Sequence, residues 1–203
     1  MSAIHHPIEP AKRRDRRSGR RLFGMVSALM LALVIIGVPT DRAHAYTLTG
    51  CKFSSNIIPY SYGTVPSGYN LASARADWTS NTDISHFNPS TASVRIHFAF
   101  GSYGATGWSG LTSHYTCGSS GGKHNGIVDV RTNRTYTDQY SGNGRISVMS
   151  HEIGHAIGLN HVGSSGGACA AATLMNGYDS FRWSTCGIYK TKSDDRNGAN
   201  ALY

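Results

Sequence analysis

An α+β fold is predicted, because strand and helix periodicities both occur in one segment without internal repeats or linkers. Residues 93–100 alternate apolar and polar side chains, which is typical of a strand with one buried face. Residues 69–80 and 145–158 place apolar side chains three or four positions apart, as amphipathic helices do. The segment that holds these elements, residues 46–203, has 158 residues, which is enough for one domain with one core.

The first two elements are a helix over 69–80 and a strand over 93–100. On the helix, Leu71, Ala74 and Trp78 fall on one face. The strand has a period of two, and its apolar face comprises Val94, Ile96, Phe98 and Phe100. Both apolar faces are expected to belong to the core.

The later elements are two further strands, a long helix and a closing helix. The strands cover 110–116 and 126–132, and a glycine-rich stretch separates them. The helix over 145–158 ends where Gly158 can form a left-handed cap. Its buried face is formed by positions 146, 149, 153, 156 and 157. The chain is then mostly irregular until residues 194–203, which predict the closing helix.

The first 45 residues have the pattern of a cleaved signal peptide. Residues 12–21 are strongly basic, residues 22–38 are apolar or small, and an A-x-A site ends at Ala45. An uncleaved membrane anchor is the alternative, and the small-residue site favours cleavage. Arg20 and Arg21 also resemble a twin-arginine signal, so the general and twin-arginine routes both stay open. We therefore expect a secreted, extracellular protein.

The charge of the chain lies mostly in this leader. The formal net charge is +8, of which the leader contributes +5 from eight Lys/Arg and three Asp/Glu. Residues 46–203 hold eleven Lys/Arg and eight Asp/Glu and no polybasic run. A mildly basic domain of this kind indicates neither a nucleic-acid partner nor, after signal cleavage, a membrane partner. We expect a monomer.

All four cysteines lie after the leader, and an even number in an exported chain predicts two disulfides. None has the C-x-x-C spacing of a cysteine zinc site. Three pairings are possible. We expect Cys51–Cys117 and Cys169–Cys186, the second of which closes a short loop.

The stretch "HEIGHAIGLNH", residues 151–161, has the spacing of a catalytic zinc site. His151 and His155 are one helical turn apart, so both imidazoles can point at one ion. Glu152 is rotated by about 100° from His151, which places its carboxylate beside the metal as a base for a zinc-bound water. Five fixed positions at this spacing make a chance histidine cluster improbable. We predict one catalytic Zn²⁺ with Glu152 as the catalytic residue.

The third metal ligand is predicted to be His161. Gly158 allows the chain to leave the helix sharply, and His161 can then return to the ion. Glu152 is the only glutamate after residue 9, which excludes zinc peptidases that use a distant glutamate as the third ligand. Asp179 is a weaker alternative. Three protein ligands and one open position are typical of a catalytic zinc site rather than a structural one.

The pattern H-E-x-x-H-x-x-G-x-x-H resembles the metzincin metalloproteases, and "TLMNG" offers Met175 as the methionine beneath their zinc. The tail "SDDRNGANALY" is similar to the closing helix of the matrixin branch. The resemblance implies a small secreted bacterial matrixin whose residues 46–203 form a zincin-like (metzincin) catalytic domain. It further implies a twisted, mostly parallel mixed sheet, an active-site helix and a small irregular C-terminal subdomain. Met175 would have a packing role.

The chain departs from the matrixin pattern at several positions. A propeptide with an Arg-Cys-Gly switch is absent, and for Cys51 we favour a disulfide over capping of the zinc. Matrixins hold a second zinc, but its H-x-D motif is missing, so three histidines are interpreted as ordinary strand and loop residues: His97, His114 and His124. Tyr178 is interpreted as packing or as a pocket wall rather than as a zinc ligand. Calcium stays undetermined, with the candidate ligands Asp129, Asp138, Asp194 and Asp195.

These features predict a secreted zinc-dependent endopeptidase that hydrolyses peptide bonds by Glu-assisted attack of a zinc-bound water. The alternative is a catalytically inactive binding protein with the metzincin fold, and the presence of Glu152 favours the enzyme. The strand over 110–116 is expected to pair with an extended substrate. Residues 174–183 are expected to shape the pocket for the residue after the scissile bond, and their apolar content suggests a hydrophobic residue there.

Overall fold

The computed structural model describes residues 46–113 and 122–203, which contain seven strands and four α-helices. In chain order they are β1 (Thr47–Leu48), β2 (Ile57–Tyr62), α1 (Leu71–Asn81), β3 (His86–Pro89), β4 (Ile96–Gly101), β5 (Gly110–Ser113), β6 (Val128–Asn133), α2 (Arg134–Thr137), α3 (Gly142–Ile157), β7 (Leu159–Asn160) and α4 (Ser193–Asn200). A 3-10 turn (Cys169–Ala171) and a π-helical turn (Ser180–Thr185) lie between β7 and α4. None of the described helices is long and apolar enough to cross a membrane. The predicted signal peptide, His114 and Cys117 lie outside the described residues.

Five of the strands form one mixed sheet in the order β3-β2-β4-β6-β5. The pairs β2–β3, β2–β4 and β4–β6 are parallel, whereas β5 pairs with β6 in antiparallel fashion. In register, Ile96 faces Val128 and Phe98 faces Val130, and all four side chains are buried. The prediction of a mostly parallel mixed sheet is therefore confirmed.

The helices α1 and α3 pack together and bury the apolar faces that the periodicity predicted. Leu71, Ala74 and Trp78 are all buried on α1. The indole Nε1 of Trp78 donates a hydrogen bond of 3.0 Å to the carbonyl of Ser150 on α3. A buried indole N–H usually needs such a partner. This contact fixes α1 against the middle of the helix that carries the histidines.

The predicted elements exist, but several boundaries moved. The two-residue strands β1 and β7 and the four-residue helix α2 were missed, as were two strands of the five-stranded sheet. The strand expected over 93–100 covers Ile96–Gly101, and the helix expected over 145–158 covers Gly142–Ile157. The first missed strand of this sheet, β2, contains Pro59 and lies between two parallel neighbours, so its sequence shows no clean alternation. The second, β3, has four residues and is too short to show a period.

The loop after α3 is held by the N-terminal segment of the described chain. Gly158 ends α3 in a left-handed conformation with φ of 116°, as predicted. Strand β1 then pairs with β7, and Thr49 donates its backbone N–H to the Gly158 carbonyl at 2.9 Å. Thr47 Oγ1 donates to the carbonyl of His161 at 2.8 Å. The position of His161 therefore depends on a turn and on a strand pair, both formed from distant parts of the chain.

We expect a Gly158→Ala substitution to lower the free energy of unfolding by about 2 kcal/mol or more. A left-handed backbone is strained for alanine, and an added Cβ at this position would overlap the carbonyl of Cys51. Urea denaturation of the purified variant measures the loss. Gly50→Ala is the matched control, because Gly50 has φ of 83° and no neighbour within 4 Å of an added Cβ. An equal loss in both variants would show that the contact with Cys51 contributes nothing.

Candidate metal centre and active site

Three histidines converge at the C-terminal end of α3. His151 and His155 project from the helix one turn apart, and the turn at Gly158 returns the chain so that His161 meets them. The Nε2 atom of His161 lies 3.1 Å from that of His151 and 2.9 Å from that of His155. Among the described residues these three side chains form the one group of His, Cys, Asp or Glu whose geometry suits a metal ion.

Backbone carbonyls fix the orientation of two of the imidazoles. His151 Nδ1 lies 2.8 Å from the carbonyl oxygen of Leu174, and His155 Nδ1 lies 2.8 Å from that of Leu159. A carbonyl only accepts, so Nδ1 carries the proton in both rings and Nε2 keeps its lone pair for a metal. Burial lowers the pKa of His151 well below its usual value and also lowers the pKa of His161, with the charge of Arg182 acting in the same direction. Both rings therefore favour the neutral form that binds metal.

The three nitrogens fit a zinc ion. Ligands about 2.0–2.1 Å from a tetrahedral ion lie about 3.3 Å apart, close to the Nε2 separations seen here. The set comprises one buried, one half-buried and one exposed imidazole. Its exposed side leaves room for a fourth, non-protein ligand. Structural zinc sites usually have four protein ligands, whereas this group offers three.

Glu152 lies beside the histidines and is held by the edge strand of the sheet. Its side chain is buried, and Thr112 Oγ1 on β5 donates to Glu152 Oε2 at 2.7 Å. Burial raises the pKa of the Glu152 carboxyl to about 7, while the Thr112 hydrogen bond and the charge of Arg182 oppose the rise. A Cβ at Gly110 would come within 2.5 Å of Glu152 Oε1, so β5 can approach only through a glycine. Glu152 is thus fixed by β5 beside the histidines and is not a member of the histidine group.

Met175 is buried against α3, in agreement with its predicted packing role. Its sulfur packs so closely on Gly154 that a Cβ there would overlap it. The turn that contains Met175 is fixed by α4, because Asp195 accepts the backbone N–H groups of Leu174 and Met175 at 2.9 and 3.0 Å. The predicted closing helix therefore supports the turn whose Leu174 carbonyl orients His151.

A buried network of polar side chains below the histidines was not predicted. Arg182 lies on the π-helical turn and donates to Ser147, to the carbonyl of Asn176 and to Asp179. Its Nη1 atom also lies 3.1 Å from Nδ1 of His151. The sequence stretch between Met175 and Trp183 gave no motif for this network. An arginine flanked by Phe181 and Trp183 was the only signal that it is buried.

The other residues singled out in the sequence do not join the histidine group. Asp179, the alternative third ligand, binds Arg182 and Tyr140 instead of joining the histidines. His97 Nδ1 lies 2.9 Å from Ser61 Oγ, and the ring of His124 packs on Phe53 at 4.6 Å between centroids. Tyr178 is 52% exposed.

The aspartates considered for calcium have other contacts. Asp129 pairs with Arg131 at 3.2 Å, and Asp138 pairs with Arg134 at 3.0 Å. Asp195 accepts backbone N–H groups, as described above. Neither pair brings two of these carboxylates together. Among the described residues, the group with metal-binding geometry is that of the three histidines, which contains none of these aspartates.

The cysteines agree with the expected disulfides where the structure describes them. Cys169 and Cys186 are bonded, as predicted. Cys51 is also disulfide-bonded, so its thiol is not available to cap a zinc ion. Its expected partner, Cys117, lies outside the described residues.

A cavity of about 430 Å³ opens beside His151, Glu152 and His161. One wall is formed by residues 107–110, which lead into β5, and the opposite wall by residues between 177 and 182. Tyr136 and Tyr140 also line it. Its volume lies within the range of about 300–1,000 Å³ that is usual for ligand pockets. The cavity is therefore large enough to hold part of a ligand beside the histidines.

Comparison with known proteins agrees with this geometry. The matrixin model of the peptidase M10 family matches residues 62–203. Karilysin from Tannerella forsythia is 28% identical over 138 residues, covering 61% of this chain and 29% of Karilysin, so the chain spans less than a third of that relative. A solved structure, the GM1 bound form of the ECX AB5 holotoxin, has a TM-score of 0.48 and 13% sequence identity to this chain. The match covers 78% of this chain and 88% of that one. The matrixin match covers more than half of the chain and includes every residue of the site, so this chain belongs to the matrixin family of metzincins.

Proposed function

We propose that this chain is an exported zinc-dependent endopeptidase that hydrolyses peptide bonds in proteins. The observation that supports this most is the convergence of three imidazoles beside a buried carboxylate, at the rim of a cavity and next to an edge strand. His151, His155 and His161 would hold the ion through Nε2. A zinc ion held there supplies Lewis acidity, which polarises a carbonyl and lowers the pKa of water.

Glu152 moves the proton. Its carboxylate accepts a proton from the attacking water and passes it to the amine that leaves when the peptide bond breaks. Thr112 holds Oε2 at 2.7 Å, so the carboxylate keeps one orientation through both transfers. Because Glu152 is buried, its exchange of protons with solvent is limited.

The substrate binds as an additional strand on β5. Among the described strands, β5 lies at the end of the sheet and pairs only with β6. Its outer edge offers backbone groups to an extended peptide, which would fix the scissile bond over the histidines. Thr112 joins this strand directly to Glu152. Substrate binding and catalysis would thus use the same short strand.

Export is also part of the proposal. It is supported by the leader pattern and by the bonded cysteines, since disulfides persist in oxidising compartments. The alternative, a binding protein that keeps the fold without activity, is disfavoured by the intact pairing of Glu152 with Thr112. A protein that had lost catalysis would have no need for a buried carboxylate at this position.

The test is hydrolysis of unfolded casein by the purified protein with and without a chelator. We expect hydrolysis that the chelator abolishes and that added zinc restores, because the imidazoles alone cannot polarise a carbonyl. Metal analysis of the same sample should give about one zinc per chain. Hydrolysis that resists a chelator, in protein shown to be metal-free, would overturn the proposal. A zinc-loaded protein that cleaves no unfolded substrate would instead favour the binding protein.

A further inference from the structure

Three polar side chains, Tyr140, Asp179 and Arg182, line the part of the cavity that we call its floor. Tyr140 Oη donates to Asp179 Oδ2 at 2.9 Å, and Arg182 Nη2 donates to Asp179 Oδ1 at 2.9 Å. Burial and the charge of Asp179 raise the pKa of the Tyr140 phenol, so it remains a donor. All three side chains line the cavity. A pocket for a purely apolar side chain would not need these groups.

Of the two charged side chains in this network, the carboxylate is the one that the cavity presents. The side chain of Asp179 is 23% exposed, whereas that of Arg182 is 2% exposed. Arg182 also has other partners, because its Nε donates to Ser147 and its Nη1 to the Asn176 carbonyl. An ionised carboxylate has about four acceptor sites, and Tyr140 and Arg182 use two of them. The remaining sites of Asp179 are left for water or for a ligand.

We propose that Asp179 is a specificity-determining residue that selects a substrate side chain ending in a hydrogen-bond donor, such as an amide or an ammonium group. This inference rests on the proposed peptidase function. The cavity adjoins Glu152 and His151, so the side chain that enters it flanks the scissile bond. The proposal departs from the hydrophobic preference that the apolar content of residues 174–183 suggested.

The polar groups of the cavity floor determine which substrate side chains bind best there. A donor replaces the water on Asp179 with a hydrogen bond to a charged acceptor. An apolar side chain of equal length displaces that water and leaves the acceptor sites unsatisfied, which is costly in a buried pocket. A carboxylate is repelled by both Asp179 and Glu152. Because Arg182 offsets the charge of Asp179, an uncharged amide should be accepted as well as a cation.

The experiment compares peptides that carry lysine, glutamine, norleucine or glutamate after the scissile bond, the position assigned to this cavity. For the wild-type zinc enzyme we expect kcat/KM for lysine or glutamine to exceed that for norleucine by about tenfold or more, with glutamate lowest. The lysine and glutamine arms show whether charge adds to hydrogen bonding. In Asp179→Asn the ratio of lysine to norleucine should fall towards one, and glutamate should improve.

Asp138→Asn is the matched control, because Asp138 also accepts from an arginine and a tyrosine, Arg134 and Tyr69, but lies outside the cavity. Its substrate ratios should equal those of the wild type. Asp179→Asn leaves Arg182 without its counter-charge and can fail to fold. In that case the kcat/KM values of the wild-type enzyme decide. A value for the norleucine peptide that equals or exceeds the values for both the lysine and the glutamine peptide overturns the inference, while the peptidase function stands. Failure to cleave any peptide overturns the proposed function and this inference with it.

Discussion

The Glu152→Gln variant should bind one zinc ion and lose at least 100-fold in the rate of peptide hydrolysis. Positioned acid–base groups contribute about 10²–10⁴-fold, and an amide of the same size cannot accept the proton of the attacking water. The fold should be intact, because the amide can still accept the hydrogen bond from Thr112. Zinc should be retained, because the three imidazoles hold the ion without Glu152.

The measurement is zinc content and steady-state kinetics on one peptide substrate. The loss should appear in kcat rather than in KM, because the β5 edge that binds the substrate is unchanged. Thr112→Val is the matched comparison, since it removes the hydroxyl that orients Glu152 but keeps the carboxylate. It should retain zinc and lose less activity than Glu152→Gln. A zinc-loaded Glu152→Gln variant with near-normal turnover would refute Glu152 as the base.

The parts of the site that local periodicity governs could be predicted from the sequence. His151 and His155 share a helix face because they are four residues apart, and Gly158 ends the helix because glycine tolerates a left-handed conformation. His161 follows three residues later, so its arrival at the pair needs only a short turn. These positions lie within eleven consecutive residues, so the geometry of one helix and the turn after it determines that the three imidazoles come together.

The parts that depend on distant contacts could not be predicted. Thr112 and Glu152 are 40 residues apart, and Tyr140 and Asp179 are 39 apart. No periodicity extends from β5 to α3, or from the turn after α2 to the residue before the π-helical turn, so only tertiary packing brings each pair together. The same reason contributes to the omission of Arg182, because two of its four contacts, Ser147 and His151, lie on α3, 35 and 31 residues away. The polar cavity floor was therefore visible only in the folded chain.

The turn that carries His161 is held by bonds that do not involve a metal ion. A substitution of His161 therefore tests the metal site without disturbing the turn. Strand β1 pairs with β7. Thr47 donates its side-chain hydroxyl to the carbonyl of His161, and Thr49 donates its backbone N–H to the carbonyl of Gly158. None of these bonds uses the imidazole. Removing the ring should therefore leave the loop in place while taking away one metal ligand.

We expect His161→Ala to fold and to lose zinc on dialysis. Losing a partner that merely supports a metal ligand costs about 10–100-fold in affinity, and losing the ligand itself should cost more. Hydrolysis should fall with the metal, in contrast to Glu152→Gln, which keeps it. The measurements are zinc content by metal analysis and secondary structure by circular dichroism.

His97→Ala is the control for this variant, because His97 contacts Ser61 and lies outside the histidine group. It should keep one zinc and full activity. A drop from two zinc ions to one in His97→Ala would reveal a second site. Full zinc and activity in His161→Ala would mean that another side chain completes the set, and Asp179 could do so only by leaving both Arg182 and Tyr140. Since that exchange would strip a buried arginine of its counter-charge, loss of zinc is the outcome that the geometry favours.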